Sequence, residues 1–142
     1  MITYALIPAR GGSKSINKKN LLPYKGKPLF TWSVEISFLC KSVKKTFVST
    51  DDDEIINQIP RKATVIRRPK ASSTDSSRDI EYLEHFIEFL DKNKIDRPDL
   101  ICLLRPTSPN RKVEIIEDVV ELLINNPYYD SLRSVRLSDQ TP

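Results

Sequence analysis

The sequence predicts an α/β fold of three layers, a mostly parallel sheet with helices on both faces. Short apolar runs and amphipathic stretches alternate four times along the 142 residues, which is typical of strand–helix–strand units. The run DLICLL at 99–104 is almost wholly apolar, as expected of a strand covered on both faces. Polar loops follow the predicted strands, at the edge where parallel sheets place their ligands.

The strands are predicted from short apolar runs rich in β-branched and aromatic residues. They cover residues 3–8, 45–49, 63–67 and 99–104, and a fifth strand begins at 131–135. Because the carboxyl ends of parallel strands meet at one edge, we expect the loops at 9–20, 50–54, 68–78 and 105–111 to converge.

The helices are predicted from apolar residues at helical spacing. They cover residues 28–41, 78–94 and 112–125, and a short helix capped by Thr50 or Asp51 runs to Ile59. The residues expected to face the sheet are Leu29, Trp32, Ile36 and Leu39 in the first helix, Ile80, Leu83, Ile87 and Leu90 in the next long one, and Ile115, Ile116, Val119, Leu122 and Leu123 in the last.

Length and composition indicate one globular domain over residues 1–142. The chain is 39% hydrophobic and 30% charged, as in ordinary soluble domains. No apolar run approaches the roughly 20 residues of a membrane span, and no secretory signal opens the sequence. Cys40 and Cys102 are expected to be buried free thiols of a cytoplasmic protein rather than a disulfide or a metal site.

The charge is concentrated at the beginning of the chain. Residues 1–34 contain six basic and no acidic residues, although the net charge of the whole chain is only +4. This asymmetry indicates a local anionic ligand. Nucleic acid is disfavoured as that ligand, because the aromatic residues show no pattern of a stacking platform.

The loop at 9–20 carries most of that charge and two of the three glycines. Adjacent Gly11 and Gly12 allow backbone N–H groups to approach an anion, and Arg10 and Lys14 lie on either side of them. The loop matches neither the Walker A pattern nor the Gly-x-Gly-x-x-Gly pattern. On these residues alone phosphate binding is favoured, with a flexible turn among surface lysines as the alternative.

Four stretches resemble the CMP-N-acylneuraminate synthetase (acylneuraminate cytidylyltransferase) family in order and spacing. They are IPARGGSKSINKKNLLPYKGKPLFTWSVE at 7–35, VSTDD at 48–52, the Arg-Pro pair at 68–69 with DSS at 75–77, and LRPTSPNR at 104–111. The resemblance implies a Rossmann-like nucleotidyltransferase fold and a nucleotide-binding domain that forms the N-terminal part of a longer enzyme.

The resemblance also implies roles for individual residues. Arg10 and Lys14 would be catalytic, neutralising the triphosphate and the charge that develops as pyrophosphate leaves. The implied nucleotide-binding residues are Ala9, Arg10, Gly11, Gly12, Ser13, Lys14, Lys19, Asn20 and Arg68. The implied substrate-binding residues are Arg105, Thr107 and Ser108.

The implied reaction transfers CMP from CTP to a sialic-acid-like (nonulosonic) sugar acid, with Mg²⁺ as cofactor and pyrophosphate as product. We expect the metal ligands and a homodimerisation element in a C-terminal part beyond residue 142. The alternative is a non-catalytic or truncated nucleotide-binding module. Asp51 and Asp52 leave two interpretations open, a metal site or the cap of a helix.

The sequence departs from the family pattern at three positions that bear on the site. Ser15 stands where glycine is usual, Arg105 where the sialic-acid enzymes tend to have glutamine, and Asp79 near a position where a serine often contacts the nucleotide. An arginine at 105 could pair with a sugar carboxylate.

Overall fold

The computed structural model describes residues 1–12, 15–70 and 78–135, and within them it contains a parallel sheet of four strands. The sheet strands are β1 (Thr3–Pro8), β4 (Val43–Thr50), β5 (Thr64–Arg67) and β6 (Leu100–Leu103), in the order β5-β4-β1-β6. The helices are α1 (Leu29–Leu39), α2 (Asp53–Ile56), α3 (Asp79–Lys92) and α4 (Val113–Asn125). The predicted α/β class and the first four predicted strands are confirmed.

Side chains alternate between the two faces of the sheet, as the strand period of two requires. In β1, Tyr4 and Leu6 belong to a buried cluster with residues of α3, whereas Ala5 and Ile7 belong to a cluster with residues of α1, α2 and α4. Helices therefore cover both faces, and the predicted three layers are present.

Central β1 pairs in parallel with β4 on one side and with β6 on the other. Because β5 and β6 are at opposite ends of the strand order, α3 connects them by crossing the whole sheet. All four strands run in the same direction, so the segments following β1, β4, β5 and β6 emerge at one edge.

A short antiparallel hairpin before α1 was not predicted. It consists of β2 (Pro23–Tyr24) and β3 (Lys27–Pro28), and its two turn residues, Lys25 and Gly26, both have positive φ. Two-residue hairpin turns of this kind require positive φ at both central positions, which a glycine adopts readily. Strands of two residues carry too little periodicity to be recognised in a sequence.

The predicted apolar face of α1 was wrong except at Ile36, which is half-buried and packs against the core on this side of the sheet. The helix buries Phe30, Ser33, Val34 and Ser37, while Leu39 is 67% exposed. Trp32 packs against the hairpin instead of the sheet, and its Nε1 donates to the Tyr24 carbonyl at 2.8 Å. Apolar residues are distributed around α1, and small buried serines allow close contact with the sheet, so hydrophobic spacing alone did not indicate the correct face.

The predicted faces of α3 and α4 were correct only in part. Buried in α3 is the row Tyr82, Phe86 and Leu90, at positions separated by four residues, whereas Ile80 is exposed. The large aromatic side chains fill the space above the sheet better than the isoleucine at the end of the helix does.

The partial error in α4 has the same form. Ile116 and Val120 are buried, while three further apolar residues, Ile115, Leu122 and Ile124, are exposed. This helix has more apolar residues than one contact face can hold, so helical spacing did not select among them.

Two boundaries also differ from the prediction. Residues 131–135 form no strand, and Val135 is fully accessible, because a strand needs a neighbour for its backbone hydrogen bonds and this segment makes none with the sheet. The cap of α2 is Asp52 rather than Thr50 or Asp51. Its carboxylate accepts from the N–H groups of Glu54 and Ile55, and the helix ends at Ile56.

Candidate functional site

The predicted phosphate-binding loop leaves β1 at the carboxyl edge of the sheet. The Ala9 N–H donates to the Ser49 carbonyl at 2.8 Å, and the Gly11 N–H donates to Oδ1 of Asp51 at 2.9 Å. Two of the backbone donors expected to contact phosphate are therefore already bonded, one to β4 itself and one to the loop that follows it. Ser13 and Lys14 lie outside the described residues.

Gly11 is buried against the cap of α2. A Cβ atom at this position would lie 2.3 Å from Oδ2 of Asp52 and 2.7 Å from its Cβ. Any side chain larger than hydrogen would therefore displace either the loop or the cap. At Gly12 no atom of the described residues lies within 4 Å of the equivalent position, so the two glycines have different surroundings.

The far end of the loop is anchored by Lys18 and Asn20. The Asn20 side-chain amide donates to the Arg10 carbonyl at 2.9 Å. This bond fixes the backbone of Arg10, the predicted catalytic arginine. Lys18 has a left-handed backbone with φ of 50° and forms an ion pair with Glu54 of α2. The Glu54 carboxylate, by its hydrogen bond and its charge, raises the pKa of Lys18.

Arg68, the residue after β5, is a buried cation. It is 5% exposed, and its guanidinium carbon lies 5.6 Å from the centre of the Tyr82 ring. Burial lowers the pKa of Arg68, the Asp51 carboxylate opposes that shift, and Arg10 adds to it. These electrostatic interactions place the loops after β1, β4 and β5 beside one another. Within the described residues, Nε of Arg68 has no hydrogen-bond partner.

The loop after β6 is held by Arg111. One of its terminal nitrogens, Nη1, donates to the Arg105 carbonyl at 2.9 Å, to the Ser108 carbonyl at 2.6 Å and to Oγ of Ser33 at 3.2 Å. Burial lowers the pKa of Arg111, as expected of a guanidinium enclosed by the loop it organises. The predicted substrate residues Arg105 and Ser108 are therefore fixed through their backbone carbonyls.

The Arg105 side chain extends toward α3. Its guanidinium forms an ion pair with the carboxylate of Asp79, the first residue of that helix. Arg105 and Asp79 are two of the positions at which the sequence departs from the pattern of the family that it resembles.

Thr107 and Lys19 lie at a shared hollow in front of the hairpin, which has a volume of about 280 Å³. Its lining residues are Ile16, Lys19, Leu22, Pro23, Tyr24, Leu29 and Thr107. The hydroxyl of Tyr24 donates to Oδ1 of Asn110 at 3.0 Å, which connects the hairpin to the loop after β6. The hollow brings a predicted nucleotide-binding residue close to a predicted substrate-binding one.

The four polar loops therefore meet at one edge, as the strand order requires. The sequence did not indicate how they are connected, because Ser33 and Arg111 had no assigned role and Asp51 was considered only as a helix cap or a metal ligand. Arg111 is the last residue of the LRPTSPNR motif at 104–111, and this position was the only indication of a role for it. Ser33 and Asp51 act through hydrogen bonds to backbone groups distant in sequence, for which no spacing rule exists.

Of the two interpretations left open for the aspartates, the helix cap is the one that the structure shows, and Asp52 forms it. Asp52 caps α2, and Asp51 accepts the Gly11 N–H and faces Arg68. In the ranges 1–12, 15–70 and 78–135, no cluster of three or more histidine, cysteine, aspartate or glutamate side chains could hold a metal ion.

Cys40 and Cys102 are free thiols, as predicted, and Cys40 is buried while Cys102 is half-buried. Burial is the main cause that raises the pKa of each thiol to about 11. Neither is activated as a nucleophile.

No helix in the described part of the chain has the length and apolar content that a bilayer crossing requires.

The sequence is similar to bacterial and vertebrate cytidylyltransferases. It is 34% identical over 130 residues to a pseudaminic acid cytidylyltransferase of Campylobacter jejuni, covering 89% of this chain and 55% of that protein. It is 30% identical over 138 residues to an N-acylneuraminate cytidylyltransferase of Escherichia coli, covering 96% of this chain and 32% of that one. The chain thus spans about half or less of the length of these relatives.

Among solved structures, the fold is similar to that of a CMP:2-keto-3-deoxy-manno-octonic acid synthetase complexed with CTP. The TM-score is 0.72 at 21% identity, over 89% of this chain and 49% of that one. A cytidylyltransferase from Leptospira borgpetersenii has a TM-score of 0.65 at 22% identity, over 89% of this chain and 50% of the other. At such identities the likeness concerns the fold alone.

The sequence profile of one family, described as cytidylyltransferase, matches residues 4–141. That range includes every loop of the candidate site and all of the sheet except Thr3, the first residue of β1. With this match and the convergence of the four loops, the chain belongs to the cytidylyltransferase family.

Proposed function

We propose that the protein transfers CMP from CTP to a sialic-acid-like (nonulosonic) sugar acid and releases pyrophosphate. One observation carries the proposal. The loop at 9–20, which contains two glycines and no acidic residue, lies beside buried Arg68 at the carboxyl edge of a parallel sheet, in a chain of this family. Such an edge is where α/β sheets bind nucleotides. The relatives' names give the acceptor class.

In the proposed reaction, an acceptor hydroxyl oxygen forms a bond to the α-phosphorus of CTP. The bond from that phosphorus to the bridging oxygen of pyrophosphate breaks, and the hydroxyl proton is lost. Transfer of this kind needs alignment and charge neutralisation more than covalent help. Arg10 and Lys14 are proposed to neutralise the triphosphate and the charge on the departing pyrophosphate.

Arg68 is proposed to stabilise the bound nucleotide from its buried position after β5. The Arg68 guanidinium is buried, lies over the Tyr82 ring and has no partner at Nε within the described residues, so it retains unused hydrogen-bonding capacity beside the loop after β1. Ala9, Gly11, Gly12, Ser13, Lys19 and Asn20 are proposed to complete the nucleotide site. Asn20 does so by holding the Arg10 carbonyl, and Ala9 and Gly11 by anchoring the loop.

Arg105, Thr107 and Ser108 are proposed to contact the acceptor. The loop that carries them is fixed by Arg111 and by the Ser33 hydroxyl, which donates to the Arg105 carbonyl at 3.3 Å. A loop held in this way loses little conformational freedom when the acceptor binds.

Mg²⁺ is proposed as the cofactor, because triphosphate transfer commonly uses it to neutralise developing charge. Within the described residues, no group of three or more histidine, cysteine, aspartate or glutamate side chains could hold it, and the Asp51 and Asp52 carboxylates each accept backbone N–H groups. No step of the mechanism above is assigned to the metal. The proposal also includes a location in the cytoplasm and a homodimer. Sedimentation of the native-length protein would check the homodimer.

The test is pyrophosphate release from CTP by the native-length protein with a panel of nonulosonic acids. Arg10→Ala and Lys14→Ala should each lower kcat/KM by about 10²-fold or more, equivalent to about 2.7 kcal/mol of transition-state stabilisation. Lys44→Ala is the matched control, because Lys44 is an exposed cation near the opposite edge of the sheet. It should leave turnover unchanged.

Full CTP affinity and turnover in both variants would show that the site is misassigned. CTP binding without pyrophosphate release for every acceptor would instead favour the nucleotide-binding module. Competition of CTP against ATP, GTP and UTP in the same binding assay tests the preference for the base.

A further inference from the structure

The beginning of α3 holds two arginines that come from opposite ends of the sheet. Asp79 pairs with Arg105, which follows β6, and Tyr82 packs under Arg68, which follows β5. Positions 79 and 82 are three residues apart and so share one side of the helix. The first turn of α3 therefore contacts both guanidinium groups, although the strands that they follow are at opposite ends of the sheet.

The pair of Asp79 and Arg105 is half-exposed on both sides, at 48% and 47%. Exposed ion pairs contribute little to folding stability, because water and salt screen them. Stability therefore does not account for this contact. The contact instead fixes the direction of the Arg105 side chain. The Arg105 backbone is already held by Ser33 and Arg111, so the side chain is the part of this residue that could still move.

The pair also retains binding capacity. A guanidinium has five N–H donors in a planar fork, and one carboxylate occupies at most two of them. The exposed half of Arg105 is thus available to a second carboxylate at the carboxyl edge. A guanidinium that is already oriented loses less side-chain entropy on binding than a free one.

We infer that Asp79 is a positioning residue that directs Arg105 toward the carboxylate of the acceptor, so that the protein selects acids over uncharged analogues. The inference rests on the proposed function and deepens it by naming the group that recognises the acceptor's charge. Asp79 itself contacts Arg105 and not the reacting atoms.

The experiment compares an acceptor acid with its methyl ester, using native-length protein and saturating CTP. The acid should exceed the ester in kcat/KM by at least about tenfold, as a charged bidentate contact warrants. Asp79→Asn should raise KM for the acid by about fivefold to tenfold and leave KM for CTP and for the ester unchanged. Arg105→Gln should abolish the preference for the acid.

Two further variants separate positioning from a general structural effect. In Asp79→Asn/Arg105→Gln the aspartate substitution should add nothing, because a residue that acts only through Arg105 is silent without it. Asp91→Asn is the matched control. It breaks a similarly exposed pair, with Arg97, near the other end of the same helix, and should leave the preference for the acid unchanged.

Several results would overturn the inference. These are equal use of acid and ester by the wild type, an Asp79→Asn effect that persists in the Arg105→Gln background, or an equal effect on the ester. If no acceptor supports pyrophosphate release, the proposed function fails, and calorimetric binding of acid and ester in the presence of CTP decides the inference. A preference for the acid that depends on Arg105 and Asp79 then supports it, and no preference or no binding contradicts it.

Discussion

The two faces of the sheet are built from different side chains. Toward α3 the sheet presents Tyr4, Leu6, Phe47 and Ile66, which we name the aromatic face. Toward α1, α2 and α4 it presents Ala5, Ile7 and Val48, which we name the small-residue face. On the aromatic face Phe47 lies 5.4 Å from Tyr4 and 5.0 Å from Phe86 between ring centres, in tilted and edge-on geometry.

The small-residue face also contains buried polar contacts. Oγ of Ser37 in α1 lies 2.8 Å from Oγ1 of Thr46 in β4, and Ser33 of the same helix bonds to the Arg105 carbonyl. The difference shows a division of roles. The aromatic side of the core holds Tyr4, Phe47 and Phe86, three of the four largest fully buried side chains in the described residues, whereas the small-residue face brings helices close enough to hold the loops of the site.

The largest effect is expected from Phe47→Ala, in the centre of the aromatic face. Truncation of a fully buried phenylalanine costs about 3–5 kcal/mol of unfolding free energy, because contacts with Tyr4 and Phe86 are lost and a cavity remains. Urea denaturation of the native-length protein measures it.

Val48→Ala is the matched comparison on the small-residue face. Val48 is equally buried, but it loses only two methyl groups, at about 0.8 kcal/mol each before any cavity effect. An equal or larger loss for Val48→Ala would contradict the division between the faces.

An intermediate effect is expected from Gly11→Ala, at the point where the phosphate loop meets the cap of α2. The added methyl group overlaps Asp52, and overpacking of this kind costs about 1–3 kcal/mol. We expect a lower Tm together with weaker CTP binding, measured by calorimetry. Gly12→Ala is the control and should keep the Tm, because its methyl group meets no atom of the described residues within 4 Å. Equal behaviour of the two variants would show that the loop does not rest on the cap.

The smallest effect is expected from Ser37→Ala. It leaves the buried Thr46 hydroxyl without its side-chain partner, which costs about 1–2 kcal/mol. The double variant Ser37→Ala/Thr46→Val should recover most of that loss, since both polar groups are then absent. Chemical denaturation of the wild type, both single variants and the double variant gives the coupling free energy between the two hydroxyls. Additive losses would show that the two hydroxyls do not stabilise each other.

The sequence predicted the sheet well because strands have a simple period and a continuous apolar composition. The strand at residues 3–8 was placed with the bounds it has in the structure. The helix faces were less predictable, since Trp32 and Ile80 are as apolar as the residues that are buried. Which of them contacts the sheet depends on the size of the opposing side chain, such as Phe47, and this is a property of the tertiary structure.

For the candidate site, the sequence indicated the loops but not their connections. A glycine pair beside an arginine is a local pattern, so the loop after β1 could be recognised. The bond from the Gly11 N–H to Asp51 joins residues 40 positions apart, and the bond from Arg111 to Ser33 joins residues 78 apart. Partners at such separations follow from strand order, which a single sequence does not specify residue by residue.

The alternation of large and small side chains along β1 has a consequence for how the protein can change in evolution. A shift of β1 by one residue would bring Tyr4 and Leu6 into the space of Ala5 and Ile7, and would turn Arg10 to the other side of the sheet. An insertion or deletion within residues 3–9 therefore removes core and site together. The segment at 93–99 lies between α3 and β6, on the side of the sheet away from the site, and we expect a change of length there to leave the loops of the site in place.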